Sequence, residues 1–436
     1  MGIESYDSPF SNRYGTVAMR EIWSEKNKRI LWHKAWLDAA FLQFDISKQG
    51  SQGALFYDYK QYKAALEEEE KTKHDLVAER NVFSRSLPRA ISDRIHVGLT
   101  SSDIEDYTEE EMISQSLGSI QGQVRELLGN LAKFSHQHYD LVVLGRTHLQ
   151  PAEPTLLGYR FLWYLDEIQK SGIEGLYVSK KGMHGAVGTN ANLELIGSPV
   201  WEKLFKIESP VFQTYPRQND VAVCGTLSLV ASVLHKMAFD VRMMAMEGLL
   251  EECKSQAQFG SSAMPGKNNP IQAEKICGLA RLFPGYYQSL WQCAANSLLE
   301  RTLDDSSTRR VVIPEMFLCM SELLTVSNKL INSLKVKPTP SDSQKGVIKS
   351  WKSWLPSRVL AIVRSGGADY KKTYSAIESL SVTCDSPEEF LEQVWSSPAL
   401  ASSNNPTSTR PEVYLGLDSL TEFVEKQSKK WINKYN

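Results

Sequence analysis

The sequence has little excess charge of either sign. Its 436 residues include 49 lysines and arginines against 51 aspartates and glutamates, so the formal net charge at pH 7 is −2. A chain this close to neutral lacks the broad positive field with which proteins attract nucleic acid or anionic membranes. We therefore expect no nucleic acid and no membrane among its partners.

Cysteine is scarce and irregularly spaced. The six cysteines form no CxxC pair and no Cys/His pattern of metal-ligand spacing, which argues against a zinc site and against a disulfide framework. The first residues are polar and lack the apolar segment of a signal peptide. We expect a cytoplasmic protein that binds no metal and no cofactor.

Sustained alternation of apolar and polar residues is hard to find, so strands should be few and short. Apolar residues instead recur at steps of three and four over 112–134 and again over 155–178, which is the period of an amphipathic helix. Residues 220–250 are apolar on nearly every face, so other helices must surround that segment. These patterns predict an all-α fold, built as a bundle of long helices.

Glycine and proline indicate where the helices break. Residues 270–299 and 311–336 are helical in pattern, with interruptions expected near Pro284 and Pro314. Loops are expected at three segments that contain these residues, 145–154, 182–199 and 260–270.

Two changes in composition indicate domain boundaries. GLTSSDIED at 98–106 precedes the helical bundle, and KVKPTPSDSQKG at 335–346 has the composition of a linker. We expect three domains: an amino-terminal helical domain over 1–104, a central long-helix bundle over 105–341, and a small helical domain over 342–436.

Two segments combine flexible backbone with reactive side chains. GSSAMPGKNNP at 260–270 separates two helical patterns, as either a binding loop or an ordinary surface connection would. GRTHLQPAEP at 145–154 carries His148 on a loop that leads into a helix. A histidine there is either a general acid or base or a plain surface residue.

Two further segments are rich in hydrogen-bonding groups. HVGLTSSDIED at 96–106 offers a histidine beside hydroxyl side chains, although Ser102 or Asp103 would equally serve as a helix cap. ERTLDDSSTRR at 300–310 combines guanidinium and hydroxyl groups, which suit a phosphate or a carboxylate. A solvated charged turn is the alternative for that last segment.

Taken together, these segments resemble the fumarase/aspartase superfamily. The superfamily signature, close to GSSxMPxKxN followed by a glutamate, is matched by GSSAMPGKNNPIQAE at 260–274. SPFSNRYG at 8–15, KHDLVAE at 73–79 and FQTYPRQND at 212–220 also have counterparts in the same order. The resemblance covers about residues 8–335 and is strongest to the branch that acts on succinylated purine nucleotides.

The resemblance implies a fold, an assembly and a reaction. The fold is three helical domains around a central long-helix bundle, and the assembly is a homotetramer whose active sites are shared between subunits. The substrate is a small nucleotide, and the reaction is a β-elimination that releases fumarate. A base removes a weakly acidic proton next to a carboxylate, and cationic and hydrogen-bonding groups stabilise the dianion that results.

The resemblance also assigns the catalytic residues. It makes Ser261 the base and His148 the acid that protonates the leaving nitrogen. Lys267 and Asn269 hold the succinyl carboxylates, and Glu274 orients and polarises His148. A serine base becomes reasonable if the loop closes over the substrate and excludes water.

Further positions are implied as substrate contacts. Most of them are assigned to a particular part of the substrate. Met264, on the signature loop, is also a substrate contact. The contacts are Arg13 and Tyr14 at the phosphate; Arg301, Ser306 and Arg310 at the phosphate or the succinyl group; His74 and Asp75 beside the ribonucleotide; Thr100, Ser101, Thr147 and Gln213 at the succinyl group; and His96 as a contact of the bacterial type.

Four positions depart from the family pattern. Lys73 stands where arginine is frequent, Asn268 replaces an arginine or lysine, Gly266 replaces a bulkier residue, and Gln218 interrupts an Arg-Lys pair. Two other functions remain open from the sequence. One is another fumarate-releasing lyase, of the argininosuccinate lyase or fumarase type, and the other is a non-enzymatic, crystallin-like structural homologue.

Overall fold

The computed structural model describes residues 6–44, 46, 55–196, 210–253, 264, 266–400 and 408–435. Helices account for most of these residues, as the periodicity predicts, so the expected all-α fold is confirmed. In chain order the helices are α1 (Pro9–Asn12), α2 (Val17–Ile22), α3 (Glu25–Phe44), α4 (Tyr59–Thr72), α5 (Asp75–Arg85), α6 (Arg89–Ser92), α7 (Ser101–Gln137), α8 (Leu157–Lys170), α9 (Ala191–Ile196), α10 (Gln218–Met246), α11 (Ile271–Ala280), α12 (Phe283–Ala295), α13 (Asp304–Ser333), α14 (Pro340–Lys349), α15 (Leu355–Ser365), α16 (Tyr370–Thr383), α17 (Pro387–Ser396) and α18 (Asp418–Tyr435).

The described strands form two short antiparallel pairs. β1 (Val142–Thr147) pairs with β2 (Gln150–Leu156), and β3 (Leu250–Glu252) pairs with β4 (Leu334–Val336). Three expected irregular segments are therefore partly ordered. The expected loop at 182–199 contains α9. Residues 145–154, expected as a loop, form most of the first hairpin, and the expected linker at 335–346 contains part of β4 and the first turns of α14.

The two prolines act differently. Pro284 lies in the first turn of α12, where its missing N–H has no intrahelical partner to lose, so the expected break before it is present. Pro314 lies inside α13, which continues through it, so the expected interruption there is wrong. Its neighbours Ile313, Met316 and Phe317 are buried, and that packing offsets the hydrogen bond that proline removes.

The chain divides into two compact units. The first contains Met1–Arg125, Lys170–Lys236 and Lys275–Ser327, and the second contains Glu126–Gln169, Met237–Glu274 and Asn328–Asn436. The expected domain boundaries at 104 and 341 describe a different division and stay a prediction.

Each unit has its own apolar cluster. In the first unit, Trp32 and Trp36 of α3 pack with Phe83 of α5. In the second, Trp354 and Phe390 from the carboxy-terminal helices pack with Leu156 at the end of β2. The last cluster ties the carboxy-terminal helices to the end of the β1–β2 hairpin within the second unit.

Helices α10 and α13 are long and apolar enough to cross a membrane by length and composition alone. In α13, 72% of the most apolar window is buried inside the protein, as expected for a core helix of a bundle. In α10 the buried share is 44%, and the side chains of Leu229 and Phe239 are exposed. This helix therefore presents apolar side chains that remain partly exposed in the described part of the chain.

Candidate functional site

In the first unit, one pocket gathers six of the predicted site residues from three separate segments. Its volume is about 300 Å³. Lys73, Glu69, Glu105 and Leu303 complete the wall. The predicted residues that line it are His74, Asp75, Ser101, Arg301, Ser306 and Arg310.

Local structure explains how His74 and Asp75 enter the pocket. Lys73 ends α4 in the left-handed conformation, with φ at 54°, and the chain turns there before α5 begins at Asp75. The Nε2 atom of His74 lies 3.4 Å from the hydroxyl of Ser101, at the start of α7. The carboxylate of Asp75 lies 3.5 Å from Arg310. Residues distant in sequence thus meet at one point.

The other wall is built by the start of α13. Ser306 lies in the first turn of that helix, and Arg310 follows one turn later. The free N–H groups of a helix amino terminus attract anions, and two guanidinium groups add formal positive charge. Asp304 and Asp305 partly offset this field in the same turn. The wall can therefore bind a phosphate or a carboxylate.

A second pocket of about 250 Å³ shares Glu105, Arg301, Ser306 and Arg310 with the first. Its remaining lining combines apolar and charged side chains. The apolar ones are Trp23, Trp32, Met112, Ile313 and Pro314, and the charged ones are Glu25, Lys28, Asp106, Glu109, Arg217 and Arg309. Apolar surface beside convergent polar groups is typical of small-molecule sites.

Glu105 lies on both pockets and was not predicted. Its carboxylate is 3.5 Å from the same Arg310 nitrogen that contacts Asp75. Burial, together with the negative charges of Glu109 and Asp75, raises the pKa of Glu105 to about 7, although the positive charges of Arg310 and Arg301 oppose the shift. Its position one turn into α7 gave no signal in the sequence.

Asp103 organises the segment that carries Thr100 and Ser101. One carboxylate oxygen accepts the N–H of Thr100 at 2.9 Å, which resembles half of a capping box. The same carboxylate accepts the N–H of His184 at 2.9 Å and of Gly185 at 3.1 Å, and it pairs with Lys181 at 3.2 Å. The expectation that Ser102 or Asp103 is the N-cap is thus wrong, because α7 begins at Ser101 and both residues lie in its first turn. Asp103 instead accepts from the residue before the helix and joins the start of α7 to the segment 181–185.

A buried ionic network continues from this point. Lys181 and Asp106 link to Arg217, and Arg217 pairs with Asp305 at 2.7 Å. Arg309 pairs with Asp220 at 2.8 Å and with Glu109 at 2.7 Å. Removing one partner from a buried pair of this kind costs about 3–5 kcal/mol. The network fixes the walls of the pockets relative to one another within the first unit.

The same framework holds Gln213 against the start of α7. Ser102 donates to the side-chain oxygen of Gln213 at 3.4 Å, and the Gln213 amide donates to the carbonyl of Ala186 at 2.8 Å. The hydroxyl oxygen of Thr100 is buried and has no hydrogen-bond partner among the residues that the structure describes. A buried hydroxyl without a partner is costly, and a ligand group would satisfy it.

His96 is fixed by the core of the first unit. The indole N–H of Trp36 donates to Nδ1 of His96 at 3.0 Å, and the backbone of His96 is left-handed with φ at 64°. Burial, aided by the charge of Arg80, lowers the pKa of His96 to about 4. The imidazole is therefore neutral near pH 7.

Arg13 and Tyr14 lie farther along α13 than the pocket residues. The N–H of Gly15 donates to Glu322 at 2.9 Å, and the Tyr14 ring lies 4.7 Å from the ammonium of Lys275. Glu322 is twelve residues after Arg310, or about 18 Å along an α-helix. The structure of one chain does not place Arg13 and Tyr14 beside Arg310.

In the second unit, His148 occupies the tip of the β1–β2 hairpin. Thr147 pairs with Gln150, so His148 and Leu149 form a two-residue loop. Both are left-handed, with φ at 52° and 62°, as a type I′ turn requires. The His148 side chain is exposed. The expected loop leading into a helix is thus a strained hairpin turn, and strain of this kind clusters at functional sites.

The signature segment is only partly described. Ser261, Ser262 and Pro265 lie outside the described residues. Met264 and Lys267 are exposed and Asn269 is half-buried. Glu274 lies in the first turn of α11, 3.9 Å from Arg242, and the expected contact of Glu274 with His148 stays a prediction.

Asn268, one of the departures from the family pattern, anchors this segment to β3. Its amide donates to the Glu251 carboxylate at 2.9 Å and to the Glu252 carbonyl at 3.0 Å. The Glu252 carboxylate accepts the N–H groups of Gln272 and Ala273, each at 3.0 Å. The strand therefore holds the residues on both sides of Asn269 and the start of α11.

No group of three or more His, Cys, Asp or Glu side chains in the described part of the chain is arranged to hold a metal ion. The chemistry of the pockets is that of hydroxyl, guanidinium, imidazole and carboxyl groups.

Comparison with known proteins identifies relatives over most of the sequence. The model of a family described as lyase matches residues 43–285. Adenylosuccinate lyase of Schistosoma mansoni is 32% identical over 358 residues, which cover 77% of this chain and 74% of that protein. Adenylosuccinate lyase of Pyrococcus horikoshii is 34% identical over 360 residues, which cover 76% and 77% of the two chains.

Solved structures share the fold over nearly the whole chain. The 3-carboxy-cis,cis-muconate lactonizing enzyme from Pseudomonas putida superimposes with a TM-score of 0.78, at 20% identity, and covers 98% of this chain and 100% of that one. Fumarate lyase from Mesorhizobium sp. BNC1 gives a TM-score of 0.73 at 20% identity, with 99% of each chain covered. At this level of identity the likeness concerns the fold.

Proposed function

From the membership of this chain in the lyase family, within the fumarase/aspartase superfamily, we propose that it is an adenylosuccinate lyase. It would release fumarate from adenylosuccinate to give AMP. It would also release fumarate from the succinylated aminoimidazole carboxamide ribonucleotide, the second substrate of this type in purine biosynthesis. The observation that carries the proposal is the pocket that unites His74, Asp75, Ser101, Arg301, Ser306 and Arg310.

The pocket supports a phosphorylated substrate. Fumarate and malate have no distant phosphate, and they would not need Arg301, Ser306 and Arg310 at the start of a helix. Guanidinium groups bind phosphate with two charge-assisted hydrogen bonds, which gives both affinity and orientation. Arg13 and Tyr14 would complete this end of the site from another subunit.

The elimination requires one proton removed and one proton delivered. Ser261 would take the proton from the carbon next to the succinyl carboxylate, and Lys267 and Asn269 would stabilise the dianion that forms. The C–N bond then breaks, its electron pair goes to the nitrogen, and His148 would protonate that nitrogen. Glu274 would orient His148 for this transfer. Exposure of His148 and Lys267 supports their access to a substrate.

The succinyl group would be bound by hydroxyl and amide groups. Thr100 and Ser101 at the start of α7, Gln213, and Thr147 on the hairpin are the proposed contacts, with Met264 on the signature loop. The partnerless hydroxyl of Thr100 supports this assignment. His96 would contribute its Nε2–H as a neutral donor, because its Nδ1 already accepts from Trp36.

We further propose a cytoplasmic homotetramer with sites built from several subunits. The exposed apolar side chains on α10, among them Leu229 and Phe239, support burial of that helix in an interface. Mixing Ser261→Ala subunits with His148→Ala subunits should restore part of the activity. No recovery after verified subunit exchange would contradict shared sites.

One comparison of variants tests which residue binds the phosphate, and a second tests which residue is the base. Arg301→Ala should raise KM for adenylosuccinate by about tenfold or more, since a charge-assisted hydrogen bond contributes about 1.5–3 kcal/mol. The KM of the same variant for the dephosphorylated nucleoside should differ little from that of the wild type.

Ser261→Ala should lower kcat by at least about a hundredfold, while Ser262→Ala should lower it less. If Ser262→Ala instead lowered kcat more than Ser261→Ala, the base would be Ser262.

A further inference from the structure

Arg310 is shared between two carboxylates. One nitrogen of its guanidinium lies 3.5 Å from the Asp75 carboxylate and 3.5 Å from the Glu105 carboxylate. Arg310 is about half exposed, whereas the two carboxylates are mostly buried. In the empty pocket this cation is therefore already engaged by protein charges.

The charges on the pocket wall cancel when every acid is ionised. Lys73, Arg301 and Arg310 supply three positive charges. Glu69, Asp75 and Glu105 supply three negative charges. A phosphate monoester carries about −1.5 to −2 at pH 7, and a wall without net charge gives it no long-range attraction. Neutralising one carboxylate would leave the wall with a net positive charge.

Glu105 is the carboxylate placed to be neutralised. It lies on both pockets, with two acids as neighbours, and burial raises its pKa to about 7. A phosphate nearby would raise that pKa further, because like charges disfavour ionisation. The charged and titratable groups that face it lie on several elements. They are Glu109 on its own helix; Asp75 of α5; Arg301 before α13 and Arg310 on α13; Glu69, Lys73 and His74 across the first pocket; and Glu25 and Lys28 of α3, Asp106, Arg217 and Arg309 across the second pocket.

We propose that Glu105 controls substrate affinity by taking up a proton from solvent when the nucleotide phosphate binds, so that Arg310 exchanges the Glu105 carboxylate for the phosphate. The inference rests on the proposed function only in requiring a nucleotide phosphate in this pocket. Glu105 thus makes binding tighter in mildly acidic solution and weaker in alkaline solution.

The binding of AMP, the phosphorylated product, tests this directly. Calorimetry on the full-length protein between pH 6.5 and 8.5 should show a wild-type Kd about fivefold higher at pH 8 than at pH 7, if only the protonated form of Glu105 binds. Glu105→Gln should bind AMP at least as tightly as the wild type at pH 7, with little further change up to pH 8.5. Glu70→Gln, at an exposed position on α4, is the control of equal charge and should keep the wild-type dependence.

Proton uptake gives a second measurement. Titrations in two buffers of different ionisation enthalpy should show about half a proton taken up per AMP bound by the wild type at pH 7, and almost none by Glu105→Gln. Glu105→Asp retains a titrating carboxyl and should retain uptake. The phosphate of AMP titrates near pH 6, and its contribution is the same in every variant.

The same preparations are assayed for fumarate release from adenylosuccinate. Equal pH dependence and equal proton uptake in the wild type and Glu105→Gln would overturn the role of Glu105, and continued fumarate release would leave the proposed function intact. Absence of both AMP binding and fumarate release in the wild type would overturn the role of Glu105 and the proposed function together.

Discussion

The indole N–H of Trp36 donates to Nδ1 of His96 across 3.0 Å. An N–H donor on one ring nitrogen places the imidazole proton on the other, so Nε2 is the protonated nitrogen of His96. The low pKa of His96, about 4, keeps the ring neutral in the physiological range. A neutral donor of fixed direction is therefore available to the substrate.

Trp36→Phe removes the donor that fixes His96 in the Nε2–H tautomer. We expect KM for adenylosuccinate to rise about fivefold, corresponding to a hydrogen bond of about 1 kcal/mol. The ¹⁵N chemical shifts of His96 should change from a single Nε2–H form to a mixture. In a His96→Gln background, where no tautomer exists, Trp36→Phe should have no further effect on KM. An equal effect in both backgrounds would make Trp36 a structural residue only.

The hairpin turn at His148 and Leu149 offers a test of backbone strain. Leu149→Gly removes a Cβ from a residue with left-handed backbone. We expect this to relieve about 1–2 kcal/mol of backbone strain, and the conformational entropy cost of glycine offsets part of that gain. The midpoint of thermal unfolding should rise by a few degrees. Leu149→Ala keeps the Cβ and should give no such rise. A lower midpoint for Leu149→Gly than for Leu149→Ala would contradict the turn.

Asn268 tests how the signature segment is held. Asn268→Asp would set a carboxylate against Glu251 and the Glu252 carbonyl in place of two donated hydrogen bonds. We expect kcat/KM to fall about tenfold, since the lost bond to the Glu251 carboxylate is worth about 1.5–3 kcal/mol and the loop recovers part of this by moving. Asn268→Lys restores a donor for Glu251 and should be far closer to the wild type. Equal activity of the two variants would rule out anchoring through Glu251.

Much of the fold follows from the sequence because it is recorded in local periodicity. Apolar residues at helical spacing indicated most of α7, α8, α10 and α13, and Pro284 indicated the start of α12. The hairpin at 142–156 could not be predicted from the sequence pattern. His-Leu is not a typical turn pair, and Pro151 and Pro154 disfavour a strand unless it lies at an edge, as β2 does. Helix α13 continues through Pro314 because its neighbours Ile313, Met316 and Phe317 are buried, and that burial cannot be read from the sequence.

Residue types alone indicated candidate segments, but the grouping of those segments into one site was predicted only through resemblance. His74, Ser101 and Arg310 are far apart in the chain, and no single segment indicates that they share a pocket. Glu105 could not be identified from sequence at all. Its environment consists of Asp75, Arg301 and Arg310, which only the folded chain brings to it.

The buried Glu79 should dominate the acid stability of the first unit. Burial opposes its ionisation, but hydrogen bonds and charges from His33 and Arg29 outweigh burial and hold the pKa of Glu79 below its usual value. A lowered carboxyl pKa contributes stability above the unfolded pKa of about 4.3, and that stability is lost as the pH falls through the folded value. Glu79→Gln should therefore be less stable at pH 7, by up to about 3–5 kcal/mol, with a shallower loss below pH 4. The check is urea unfolding as a function of pH, with exposed Glu70→Gln as the control; a Glu79→Gln profile parallel to the wild type would contradict this role.

The most direct test of the proposed activity is the release of fumarate by the purified protein from three substrates: adenylosuccinate, argininosuccinate and malate. We predict equal amounts of fumarate and AMP from adenylosuccinate, and no fumarate from the other two. Fumarate from argininosuccinate or malate, with none from adenylosuccinate, would contradict the assignment.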